Sequence, residues 1–298
     1  MRGPLAPAPS PPALAARRAA SRASTSSRVA RRAPSPPRAM KKKKSKTPNA
    51  PPFAVEEESF DAALCEFYTH SLCPYAHRVS LALAFKRVPH ARKHVDVSNK
   101  PRWFLQVNPR GLVPVIRTRE REVLNESIDL CYWLDASFVG ENHPPLMPSD
   151  NDERNRALRL VKAADGGFIA AGLSFIGGGW GFTEGDPGDA RRATLAAEVA
   201  KIEDQMDDWD TFLCGVDPSV ADVVLWPFVE RFELAMREFN DTELAEMGGK
   251  KFSRWMRHMK KLPEVRRLAP DEAKLLKSWR RTMRLDYFDY ETADVDDP

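Results

Sequence analysis

The first 55 residues hold no aspartate or glutamate, although the 298-residue chain has 42. Thirteen Lys and Arg lie there instead, with many Ser and Ala and a high share of the 25 prolines. Such a segment cannot bury enough apolar surface to repay the entropy of folding, and an acid-poor, Arg- and Ser-rich N-terminus has the composition of an organelle transit peptide. Residues 1–55 are therefore read as a disordered transit peptide. Beyond them 33 basic residues face 42 acidic ones, a net charge of about −9, so the isoelectric point of 8.8 belongs to the tail. Lys41 to Lys44 lie in that tail without interleaved aromatics, which argues against a nucleic-acid partner. Abundant Arg fits a mitochondrial address, and abundant Ser, Ala and Pro a plastid one.

The chain also lacks any apolar run of ~18 residues, so no membrane span is expected. Its four cysteines, Cys65, Cys73, Cys131 and Cys214, have neither metal-ligand spacing nor the density of a disulfide framework. They point to a reducing compartment and no metal. No glycine-rich stretch ends in Gly-Lys-Ser/Thr, which argues against a phosphate loop.

What is present begins with Cys73-Pro-Tyr-Ala76. Leu64 to Tyr68 reads as a strand, and Ala76, Val79, Ala82, Leu83 and Lys86 recur with helical spacing. Pro74 suits the first helical turn, where its missing N–H is not needed. Cys73 is thus placed at a helix N-terminus, where free amides and the macrodipole favour a thiolate and a lowered pKa. A second cysteine at position 76 would resolve a mixed disulfide, but Ala76 stands there. A lone thiol so placed needs an outside thiol to regenerate it. Cys65 and Cys131 fall on apolar faces and read as core; Cys214 is unassigned.

The motif Cys73 to Arg78, Asn99-Lys-Pro-Arg-Trp-Phe104, Gly111-Leu-Val-Pro-Val115, Glu126-Ser127, Ser219-Val-Ala-Asp222 and Trp226-Pro-Phe-Val-Glu-Arg-Phe232 follow one another along about three quarters of the chain. In this order they resemble the glutathione transferase superfamily, in its cysteine-type classes. The Glu126 to Leu130 block with Leu134-Asp135 and the Trp226 to Phe232 run look lambda-like; Asn99 to Phe104 and Gly111 to Val115 also look omega-like.

The resemblance implies an α/β thioredoxin-like N-terminal domain followed by an all-α helical bundle domain. It implies a cis bond before Pro114 that turns the Val113 backbone toward glutathione, the co-substrate. Ser127, read as the cap of a helix from Ile128 to Phe138, with its free amides implies a γ-glutamyl carboxylate site. Glu126 is implied at the γ-glutamyl amine, Lys100 at the glycyl carboxylate and Tyr75 over the tripeptide. Ser219 and Asp222 read as a reciprocal cap with a folding role.

Residues 60–138 read as the thioredoxin-like, glutathione-binding domain, 139–151 as linker, 152–285 as the helical domain and 286–298 as an acidic tail. Helices are expected near Asp152 to Ala171, Asp189 to Phe212, Val220 to Phe239, Phe252 to Lys261 and Pro263 to Arg280, with a kink at Pro227. Gly166-Gly167 and the glycines from Gly177 to Gly188 cannot hold a regular helix. In this fold that segment overhangs the thiol, which makes Phe175, Trp180 and Phe182 either the wall of a site for a small apolar or aromatic second substrate, or aromatics folded onto their own helices.

The function expected is glutathione-dependent thiol transfer through a Cys73–glutathione mixed disulfide. Dehydroascorbate reduction by the same thiol and non-catalytic carriage of flavonoid-like aromatic ligands are the rivals. The lambda-like resemblance implies a monomer and a plastid (stromal) location, with the mitochondrion as the alternative.

Overall fold

The computed structural model describes residues 64–177 and 184–285. The segment 1–55 read as a transit peptide, the segment 286–298 read as an acidic tail, and Trp180 and Phe182 lie outside the described residues.

Among the described residues there are four strands: β1 (Cys65–Thr69), β2 (His90–His94), β3 (Val115–Thr118) and β4 (Val123–Leu124), in the spatial order β2-β1-β3-β4. β1 pairs in parallel with β2 and antiparallel with β3, which pairs antiparallel with β4. The parallel pair needs a crossover, supplied by α1 (Pro74–Phe85). α2 (Arg102–Val107) lies between β2 and β3, and α3 (Ser127–Ser137) follows β4. β1 is buried along its whole length because both faces are covered. Cys65 and Phe67 face the main core, whereas Tyr68 joins Val95, Phe104 and Val115 on the other side.

The segment from Val139 to Asp150 is irregular but pinned. The Asp135 carboxylate accepts from Leu146 N–H at 2.7 Å, Met147 N–H at 3.1 Å and the buried Lys86 ammonium at 2.8 Å. Asp150 then caps α4 (Asn151–Ala163), accepting from the amides of Asp152 and Glu153.

The second half is helical. α4 passes through a π-helical turn, Ala164–Phe168, into α5 (Ile169–Phe175), so the expected single helix is interrupted at Gly166-Gly167 and continues beyond Ala171. At Gly172 a Cβ would come 2.2 Å from the Phe232 ring, so only glycine permits this approach of α5. α6 (Asp189–Glu203) ends nine residues before Phe212, because Asp210 draws the chain into turns by accepting from Asp207 N–H and pairing with Arg156. α7 (Val220–Asn240) is the central helix, and the reciprocal cap of Ser219 and Asp222 is present at its start. Asp222 also accepts from Leu213 N–H and Trp255 Nε1, which makes it a buried junction.

α7 runs through Pro227 as one helix. Pro227 removes one intrahelical donor, and nearby carbonyls are met by buried arginines: Val224 O by Arg78 and Pro227 O by Arg231. α8 (Lys250–Met259) follows. The final helix expected from Pro263 is two, α9 (Pro263–Leu268) and α10 (Glu272–Leu285). Pro270 forces Ala269 out of the helical region, to ψ 135°, and so divides them.

Candidate active site

Cys73 is the N-cap of α1, placed there by the end of β1 and by Pro74 in the first helical turn. Its Sγ accepts from Ala76 N–H at 3.5 Å and its thiol donates to Val113 O at 3.9 Å. The Val113-Pro114 bond is cis. Cys73 is 8 % exposed at the floor of a cavity of about 370 Å³.

Tyr75, Lys100, Val113, Pro114, Glu126 and Ser127 all line that cavity with Cys73, although they come from four separate stretches of chain. Gly111 has φ +62°, and a Cβ there would lie 2.6 Å from Lys100 Cδ, so the lysine stem uses the space that glycine leaves. The Tyr75 ring stands edge-on to Phe228 at 5.1 Å.

One sequence expectation is corrected here. Ser127 is the first residue of α3 rather than its cap; Glu126 takes the cap position, with φ +66°, and the Ser127 hydroxyl accepts from Arg78 at 3.1 Å. Glu126 itself is exposed and paired with Arg110 at 2.6 Å across the cavity mouth.

The lowered pKa expected of Cys73 is also overturned. Burial pushes the thiol up, and the Ala76 amide, Arg231, the Tyr75 amide and Arg78 oppose this without reversing it. Burial pushes Cys65, Cys131 and Cys214 up to about 12, so all three are inert core thiols.

Phe175 is corrected as well. It is 1 % exposed, packed in the core beneath the Arg192 guanidinium, and offers no surface to a second substrate.

Sequence reasoning missed four side chains. Arg110 and Asn125 line the cavity, and Asn125 Oδ1 is buried without a hydrogen-bond partner among the described residues. Arg110 directly precedes the Gly111 to Val115 motif. Behind Cys73, Arg231 donates through Nε and NH2 to Leu72 O at 3.3 and 3.1 Å, fixing the residue before the thiol. Its NH1 lies 3.2 Å from His77 Nδ1, and burial, then the charge of Arg231, hold His77 well below its ordinary range, so that nitrogen accepts. Arg78 donates to Val224 O at 2.9 Å, to Ser127 Oγ and to Asp165 on the π turn at 3.3 Å. Buried arginines leave no sequence signal beyond the motif that contains them.

A thiol at a helix cap opposite a cis-proline carbonyl, on a thioredoxin-like half joined to a helical half, defines the two-domain glutathione transferase class. Residues 72–137 match the glutathione S-transferase N-terminal domain and residues 151–259 the C-terminal domain. Glutathione S-transferase omega-1 of Sus scrofa is 30 % identical over 219 residues, covering 73 % of this chain and 83 % of that protein. A protein of Oryza sativa described as probable glutathione S-transferase DHAR2, chloroplastic, is 29 % identical over 170 residues, 57 % of this chain and 55 % of its own. The crystal structure of glutathione transferase Omega 3C from Trametes versicolor has the same fold, with a TM-score of 0.63 and 21 % identity over 74 % of this chain and 92 % of that one. The chain belongs to the glutathione S-transferase family, as a cysteine-containing, omega-like member with glutathione as its substrate.

Proposed function

We propose that the protein is a glutathione-dependent thiol transferase with Cys73 as its nucleophile. The observation that carries this reading is the place of Cys73: an N-cap sulfur facing Val113 O on the floor of a cavity large enough for a peptide. The Cys73 thiolate attacks the glutathionyl sulfur of a mixed disulfide R–S–SG. The S–S bond breaks, R–S⁻ leaves and takes a proton, and Cys73–S–SG remains. A second glutathione thiolate attacks that disulfide, releasing oxidised glutathione and regenerating Cys73.

Glutathione is held at its ends. Val113 pairs with the cysteinyl backbone, Lys100 with the glycyl carboxylate, and the amides at the start of α3 beside Ser127 with the γ-glutamyl carboxylate. Glu126 and the unpartnered Asn125 Oδ1 are acceptors for the γ-glutamyl amine, with Glu126 released from Arg110 when the ligand enters. Tyr75, on the rim, packs over the tripeptide. Because burial raises the Cys73 pKa, the thiolate is the minor form in the free protein and turnover rises with pH above neutrality.

The lambda-like side of the sequence resemblance carries less weight than the omega-like side. Asp135 pins the interdomain segment and Arg231 is buried behind the thiol, so both motifs serve the fold. A plastid location is supported by the acid-free N-terminus and by the chloroplastic rice relative.

The test is glutathione-dependent reduction of a small glutathionyl disulfide by the full chain and by Cys73→Ser. Turnover by the wild type alone upholds the mechanism; equal activity in both, or none in either, ends it. Dehydroascorbate as oxidant in parallel distinguishes the reductase reading.

A further inference from the structure

The groups behind Cys73 include a carboxylate for which the thiol chemistry gives no role. Glu230 stands on α7 next to Arg231, its side chain 20 % exposed, and its Oε2 is buried with no hydrogen-bond partner among the described residues. Oε2 lies 3.6 Å from His77 Nδ1 and 4.0 Å from Arg231 NH1, beyond hydrogen-bonding reach of either. A carboxylate ionised there has no donors at that oxygen to offset its loss of water. Burial accordingly raises Glu230 from 4.5 to about 7, against the charge of Arg231 and with the like charges of Glu272 and Glu233.

The charges around it come from four elements. α7 contributes Arg231 and Glu233, α8 Lys260, α10 Glu272 and α1 His77. Lys260 is held by Glu233 at 2.6 Å and acts on Glu230 less than Arg231 does. His77 is no cation: burial, then Arg231 and Arg92 of β2, hold it well below its ordinary range. A negative charge on Glu230 therefore falls mainly to Arg231.

Arg231 is already committed. Its NH1 donates to Pro227 O at 2.8 Å and to His77 Nδ1 at 3.2 Å, while Nε and NH2 hold Leu72 O, the carbonyl just before Cys73. Its charge is also among those that oppose the effect of burial on the thiol. An ionised Glu230 draws NH1 away from His77 and offsets that charge, and both changes disfavour the Cys73 thiolate.

We propose that Glu230 is a positioning residue for Cys73 that acts through Arg231. With its proton on, it leaves the guanidinium to Leu72 O and the thiol; with the proton off, it takes a share of that cation and makes the thiolate harder to form. The consequence for turnover rests on Cys73 being the nucleophile, whereas the consequence for the reactivity of the thiol does not.

The test is iodoacetamide alkylation of Cys73, mapped by mass, in the full chain and in Glu230→Gln from near pH 5.5 to about pH 9. Below its pKa a lone thiol reacts about tenfold faster for each pH unit. The wild-type rate is expected to climb less steeply than this between about pH 6 and about pH 8, and the Gln variant to keep the full slope. The two rates coincide near pH 5.5, and the variant is about threefold or more faster by about pH 8.5, which corresponds to roughly 0.5 pKa unit. A merely structural role would scale the variant's rate by one factor at every pH. The wild-type profile is an arm that needs no variant: an unbroken tenfold climb overturns the proposal, as does a break of the same size retained in Glu230→Gln. Glutathione-dependent turnover is measured apart, and its absence beside a broken alkylation profile removes the proposed activity while upholding the role of Glu230.

Discussion

Arg231 is the side chain whose removal most directly tests how the thiol is held. It is 1 % exposed, and its guanidinium holds the carbonyl of Leu72, 159 positions away. Arg231→Met removes both bonds to Leu72 O and the cation that opposes the upward push of burial on Cys73. Charge-assisted bonds of this kind are each worth about 1.5–3 kcal/mol, against a total stability of about 5–15 kcal/mol, so a loss of at least about 2 kcal/mol is expected in urea unfolding. Arg231→Lys keeps the charge but offers no fork to Leu72 O. Its stability therefore falls with the Met variant while its thiol reactivity stays nearer the wild type.

Reactivity is read as the pH dependence of iodoacetamide alkylation, mapped by mass. The assay reports on Cys73 because the other three cysteines are pushed up to about 12. Burial raises Cys73 above its ordinary 9.0, so the wild-type rate is still climbing past pH 9, and the Met variant is slower at every pH below its own plateau. A wild-type plateau below pH 9, or superimposable profiles for wild type and Met variant with no change in unfolding midpoint, would refute this account of Arg231.

Two further outcomes concern the helical half. Burial raises Glu230 from 4.5 to about 7, so the folded state binds that proton more tightly than the unfolded one. The resulting stability is fully present below pH 4.5 and is lost as pH rises to about 7, a fall of about 3 kcal/mol that urea titrations of Glu230→Gln will not show. Asp222→Ala leaves the amides of Leu213 and Ser219, the Ser219 hydroxyl and Trp255 Nε1 without their acceptor. A loss of at least about 3 kcal/mol is expected, read as poor soluble yield or a collapsed melting temperature; a loss under about 1 kcal/mol would show that water replaces the carboxylate.

Much of the architecture was legible because it is written in local rules. Pro74 after Cys73 announces a helix start, and Ser219 with Asp222 announces another. Helix ends were read less well. α6 stops where Asp210 begins to bond backward, and the apolar spacing of Met206 and Phe212 continues past that point without being helical. β2, His-Ala-Arg-Lys-His, has no apolar alternation and is a strand only because it pairs with β1. At the site the motifs picked out Tyr75, Lys100, Val113, Pro114, Glu126 and Ser127 around the cavity, but not Arg110 and Asn125, whose positions depend on the path of a loop. The thiol's pKa was misjudged for a related reason: a helix N-terminus is visible in sequence, whereas the depth at which tertiary packing sets it is not.

The bond from Arg78 to Val224 O has a consequence for how the chain is made. Its ends are 146 residues apart in synthesis order. At about 5–20 residues per second, a ribosome takes roughly 7–30 s to deliver the acceptor after the arginine has emerged. Throughout that interval the first half carries a guanidinium destined for burial, with its carbonyl not yet translated. The sheet can form early, but the surface on which Arg78 and Cys73 sit is finished only when α7 arrives, so the thiol acquires its final surroundings after most of the protein has been made.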